Sequence, residues 1–201
     1  VTGENLVTAP KNSYPPGDLA IWFFILAELT AFFALFATYA VSYRIHYPLF
    51  AAMQPTLDAR WGAVNTALLL LGSWGVARAV VAAKVASPQE GRRSSTWLLL
   101  GVACGFLFLV SKGFEYAAKF RAGIDLDTNL FFTFYFSLTA FHAMHVLLGV
   151  VILAIVAVKA RHGCYHRDAT VGIETAASYW HMVDLVWLIL FPLLYLLTIP
   201  V

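Results

Sequence analysis

The sequence predicts an all-α integral membrane protein, a bundle of five transmembrane helices. Two observations carry that prediction. The chain of 201 residues is 61% hydrophobic and only 12% charged, whereas soluble domains carry about 25% charged residues. Five apolar runs each approach the ~20 residues that an α-helix needs to cross a bilayer, and none shows the period-2 alternation of a membrane β-strand.

The first span covers about Leu19 to Val41 behind Gly17-Asp18, a suitable N-cap; the second runs from about Ala63 to Ala83. The third covers about Thr96 to Ala118, the fourth about Leu130 to Val158 behind a capping Asn129, and the fifth about Ser178 to Ile199. Turn residues fill the connections: Pro48 and Pro55, then "SPQEGRR", "AGIDLDTN" and "RHGCYHRDATVG". Residues 1–18 read as a polar, Pro-rich tail and 19–201 as the membrane domain; the tail lacks the basic start and short apolar core of a signal peptide. Pro192 is expected to kink the fifth span.

Basic residues set the expected orientation. Lys11, Lys84, Arg92, Arg93, Lys159, Arg161 and Arg167 fall on one side, and Arg44, Arg60, Lys119 and Arg121 on the other. Seven against four puts the N-terminus in the cytoplasm and the C-terminus in the periplasm. The net charge of +2 is too small and too scattered for a nucleic-acid-binding surface, and no phosphate-binding glycine motif occurs. Cys104 lies in an apolar run and Cys164 in a polar loop, which reads as two plain thiols.

The informative residues are polar groups inside these spans. Such groups cost about 2.5–3.5 kcal/mol each at mid-bilayer, so they face the bundle interior and find partners. Glu28 lies about 14 Å along the first span. It either ties helices together or acts as a proton-active carboxyl. His142 and His145 share one face of the fourth span at i and i+3, and His181 and Asp184 repeat that spacing on the fifth. Lys112 and Glu115 have it too, as an ion pair expected close to the headgroups. A bound metal is disfavoured, since H-E-x-x-H is missing and no cysteine stands beside the histidines. Haem is disfavoured because axial ligands approach one iron from opposite faces, which two histidines on one helix face cannot do. A buried polar network of Glu28, Glu115, His142, His145, His181 and Asp184 is the reading that remains, with His181 and Asp184 expected to reach His145 or Glu28.

Five motifs in order carry a resemblance: "IWFFILAELTAFFALF", "VNTALLLLGSW", "KGFEYAA", "FFTFYFSLTAFHAMHVLLGVVIL" and "ASYWHMVDLVWLILFPLLYL". The set resembles subunit III of the haem-copper oxidases, in a five-helix form lacking two N-terminal helices. The resemblance implies a subunit with no catalytic residue and no haem or metal of its own, packed beside a catalytic haem-copper subunit in the bacterial cytoplasmic membrane. It also implies bound phospholipid and support of proton and gas access in the partner. The carboxyl of Glu28 matches a reactive buried acid of that family. The opening "PPGDLAIWFFILAELTAFF" and the close "SYWHMVDLVWLILFPLLYLL" look more like the accessory subunit of nitric oxide reductases than that of terminal oxidases. The competing reading is a small proton-coupled carrier or channel that uses Glu28 and the histidines as a relay.

Overall fold

The computed structural model describes residues 17–85, 88–165 and 169–196. Six α-helices follow in order: α1 (Leu19–Ile45), α2 (Tyr47–Met53), α3 (Ala59–Ala83), α4 (Pro88–Arg121), α5 (Leu130–Arg161) and α6 (Val171–Tyr195), with a 3₁₀ turn at Gln54–Thr56. Five of them, α1 and α3 to α6, are long and apolar enough to span a membrane. Residues 1–16 of the tail and the last residues of the fifth predicted span, from 197 on, lie outside the described residues.

Helix ends follow local chemistry. Asp18, Asp58 and Asn129 each turn a side-chain oxygen onto a first-turn N–H, capping α1, α3 and α5. At the far ends of α4 and α5, Gly123 and Gly163 adopt φ of 74° and 75°. There Ile124 N–H donates to Lys119 O and Cys164 N–H to Lys159 O, the six-to-one bond that closes a helix through a left-handed glycine.

Two elements depart from the sequence reading. The stretch holding Pro48 is a short helix rather than a turn, because proline is tolerated in a first turn. Its Phe50 is fully buried among Tyr39, Tyr43 and Phe131. Helix α6 begins at Val171, well before Ser178. The added residues tie down the entry to α1 and the end of α3: Asp18 N–H donates to Thr175 Oγ1 at 3.0 Å, and Lys84 pairs with Glu174 at 3.0 Å.

Helix α6 is the centre of the bundle and packs against α1, α3 and α5, while α4 lies between α3 and α5. Its Trp180 is almost completely buried. A Cβ added at Gly72 of α3, Gly105 of α4 or Gly149 of α5 would come within 3.4, 2.6 and 3.0 Å of the Trp180 ring. Three helices therefore each leave out a side chain to admit one indole, the close approach that small residues permit between membrane helices. By contrast, α1 buries only the stripe Ile25, Phe32, Tyr39 and Tyr43 and is the most loosely covered span.

Candidate functional site

The six polar residues singled out in the sequence do not form one network. They separate into three clusters and one isolated imidazole.

The first cluster joins α1 to α5. Glu28 Oε2 lies 2.9 Å from His145 Nε2, and His145 Nδ1 lies 2.8 Å from the carbonyl oxygen of Phe141. A carbonyl only accepts, so Nδ1 carries a proton and Nε2 is left to share one with the carboxyl. Phe32 and Phe141 flank the imidazole with ring centroids at 5.2 and 4.7 Å, and Tyr179 donates to the His145 carbonyl at 3.2 Å. Glu28 thus has an imidazole neighbour that its own sequence surroundings did not reveal.

The second cluster is built on α4. Lys112 Nζ donates to Glu115 Oε2 at 2.8 Å and to Tyr195 OH at 2.7 Å. Tyr135 and Tyr195 both donate to Glu115 Oε1, at 2.7 and 2.9 Å. The ammonium also lies over the rings of Trp187 and Tyr195, each at 5.2 Å. The ion pair lies inside the bundle, with Lys112 only 2% exposed. Tyr135 and Tyr195 are the hydrogen-bond partners of Glu115 that sequence reasoning missed; a tyrosine within an aromatic-rich span carries no signal of its own.

The third cluster joins α3 to α6. His181 Nδ1 lies 2.6 Å from Ser73 Oγ, and 3.5 Å from Asp184 Oδ2. The second distance is too long for a strong hydrogen bond. His181 does not reach His145 or Glu28, which are partnered with each other. Nor is it interior: its side chain is 42% exposed, against 10% for Asp184. Ser178, His181, Leu185 and Ile189 mark an outward stripe of α6.

His142 is fully buried, and neither ring nitrogen has a hydrogen-bond partner among the described residues. It stacks on Trp187 with centroids 5.2 Å apart, and Trp187 in turn donates Nε1–H to Thr66 Oγ1 at 2.9 Å. Thr66 and Ser73, seven residues apart on α3, thus supply hydroxyls to Trp187 and His181 of α6.

Among the described residues no three His, Cys, Asp or Glu side chains gather as a metal site. Cys104 and Cys164 are both free thiols. These clusters can hold helices in register and place protonatable groups at depth.

The family model described as cytochrome c oxidase subunit III matches residues 17–199. Cytochrome c oxidase subunit 3 of Synechocystis sp. is 33% identical over 93% of this chain and 83% of its own length. The protein of the same name from Thermostichus vulcanus is 31% identical over 90% of this chain and 87% of its own. A haem-copper oxidase subunit I+III of Aeropyrum pernix is 30% identical over 88% of this chain and 22% of its own length.

Proposed function

Because the chain belongs to the cytochrome c oxidase subunit III family, we infer that it docks in the membrane against the catalytic subunit of a haem-copper oxidase and supports that subunit's turnover. The chain is a multi-pass membrane protein and, like its family, a non-catalytic subunit without redox cofactors. The Aeropyrum pernix relative, whose name joins subunits I and III in one chain, supports the partner. The Synechocystis and Thermostichus relatives are named for cytochrome c oxidase. They give the nitric oxide reductase branch, favoured by the terminal motifs, no support. The reading adopted is therefore an oxygen-reducing complex, in a bacterial cytoplasmic membrane with the N-terminus inside.

One observation carries the docking proposal. His181 lies ten residues into α6, about 15 Å along a helix of roughly 37 Å, so it sits near the middle of the helix with its side chain 42% exposed. An ionisable group facing acyl chains at that depth is costly, and such groups face protein or a water-filled cavity instead. The outward stripe of α6 around His181 is accordingly the face that a partner helix covers.

Purification through a tag on this chain in mild detergent tests the proposal. The expected result is a co-purifying haem-containing subunit and consumption of oxygen by the mixture. Nitric oxide consumption instead would restore the other branch. A haem absorption band belonging to this chain alone, or proton flux through liposomes holding it alone, would overturn the reading.

A further inference from the structure

We propose that the bundle interior between Lys112 and His142 is a binding site for ordered water, filled through the groove that ends on Glu115. The site is separate from the docking face at His181 and does not depend on it.

Unmet hydrogen-bonding capacity gathers at one level of the bundle. His142 of α5 and Asn65 of α3 are fully buried, and no side-chain nitrogen or oxygen of either has a hydrogen-bond partner among the described residues. An imidazole brings at least one donor and one acceptor, and a carboxamide two donors and a carbonyl oxygen. Lys112 adds to them. Glu115 and Tyr195 take two of the three N–H donors of its ammonium, and no oxygen or nitrogen among the described residues takes the other.

Trp187 and Tyr195 of α6 fix the common level. Lys112 Nζ lies 5.2 Å from each of their ring centroids, and His142 stacks on Trp187 at 5.2 Å. Asn65 precedes Thr66, whose hydroxyl accepts the Trp187 Nε1–H. It also stands one turn from Gly62, where an added Cβ would come within 3.3 Å of Tyr195 Cδ1. Burying polar groups without partners is costly, and those inside folded proteins are almost always met by protein or by ordered water. A buried water makes about three hydrogen bonds to such groups. It both donates and accepts, so it can serve a lysine N–H, a carboxamide and an imidazole together. The Phe108 ring, 5.5 Å from His142 and nearly perpendicular to it, offers only a weak π acceptor in place of water.

A route for water lies beside these groups. A groove of about 380 Å³ sits where α3 begins and α4 ends, and its wall includes Asp58, Ser111, Glu115 and Lys119. Ser111 adjoins Lys112 in the chain. Glu115 belongs to both places: it lines the groove with its side chain 14% exposed, and it accepts from Lys112, Tyr135 and Tyr195 inside. Ionisable groups within a membrane face protein or a water-filled cavity, and Glu115 does both. The interior polar groups therefore communicate with the membrane face onto which this groove opens.

X-ray radiolysis tests the site, because it splits water into hydroxyl radicals that oxidise the side chains beside an ordered water even where these are buried. Peptide mass spectrometry reads the product. Phe108 and Phe131 are the same side chain and both fully buried, but Phe131 packs against Phe50 and Phe132. In the full chain, purified with its accompanying subunits, Phe108 should be oxidised several-fold faster than Phe131. N65L/H142F, which removes the polar partners, should bring Phe108 down to the rate of Phe131. Rapid mixing with ¹⁸O-labelled water before exposure times the exchange. Ser111→Trp, which narrows the groove, should slow uptake of the label at Phe108 several-fold. Equal oxidation of Phe108 and Phe131 in the wild type would overturn the site, a result that needs no variant to fold. Unchanged label uptake in Ser111→Trp would overturn the groove as its entry. His142→Phe should lower the melting temperature, because it strands Asn65 and Lys112. A more stable His142→Phe would also overturn the site, since an imidazole kept dry between rings is only a cost.

Discussion

Glu28 Oε2 on α1 lies 2.9 Å from His145 Nε2 on α5, and this bond fastens the most loosely covered span to the interior of the bundle. Helix α1 buries a single narrow stripe, so a polar tie at mid-depth counts for more there than it would on α6. With Nδ1–H of His145 committed to Phe141 O, Nε2 needs a donor or an anion opposite it.

Glu28→Gln and Glu28→Ala should therefore behave differently. Glutamine offers an N–H to Nε2 and keeps the tie. Alanine strands a largely buried nitrogen at a cost of about 1–3 kcal/mol. Thermal unfolding and protease sensitivity near α1 should show the alanine variant weakened and the glutamine variant close to wild type. Equal damage from both would mean that the carboxyl's proton chemistry, not the tie, is what matters.

The Lys112–Glu115 cluster predicts a different pattern. Lys112→Met leaves Glu115 with its two tyrosine donors but no cation, and Glu115→Leu leaves a buried ammonium unpaired. Either single change should destabilise by about 3–5 kcal/mol. The double change Lys112→Met/Glu115→Leu should cost less than the two added together. A double-mutant cycle on thermal stability in detergent reads the coupling, and strict additivity would reject an interdependent cluster.

Gly105→Ala tests the socket around Trp180. The added Cβ would lie 2.6 Å from both the Trp180 ring and Val150 Cγ2, closer than packed carbons tolerate. Overpacking of this kind costs about 1–3 kcal/mol. Trp180→Phe in the same chain should recover part of the loss, because the six-membered ring of tryptophan is what fills the space. Thermal stability that is unchanged in Gly105→Ala would mean that the helices shift apart without cost.

The five spans were legible because each is a long apolar run, and the caps at Asp18 and Asn129 stood at the expected offsets. Helix α2 and the first turn of α6 were not, since both are held by tertiary contacts, Phe50 in an aromatic cluster and Glu174 on Lys84, and not by an apolar run. The polar residues could be found by their depth, but their partners could not. An i, i+3 pair still diverges by about 60° around a helix. That angle sends His145 to Glu28 while His142 stacks on Trp187. It likewise turns His181 outward and Asp184 inward. Which neighbour waits at each angle depends on helix packing, and the spacing alone does not encode it.

That divergence makes His181 the residue whose loss should be felt between chains more than within this one. Ser73→Ala removes its intramolecular partner and should lower the stability of the isolated chain by about 0.5–1.5 kcal/mol, the net value of one hydrogen bond. His181→Ala removes the same bond and also the group presented to the covering helix. If that helix holds a polar partner for the ring, His181→Ala should weaken retention of the catalytic subunit about tenfold or more during purification, while Ser73→Ala weakens it far less. His181→Leu fills the stripe with an apolar side chain suited to lipid, so it should leave the isolated chain folded yet still reduce retention. Pull-down yields of the three variants, normalised to membrane content of this chain, provide the comparison. Wild-type retention in His181→Leu would mean that this stripe of α6 faces acyl chains, and the docking face would have to be sought on another helix.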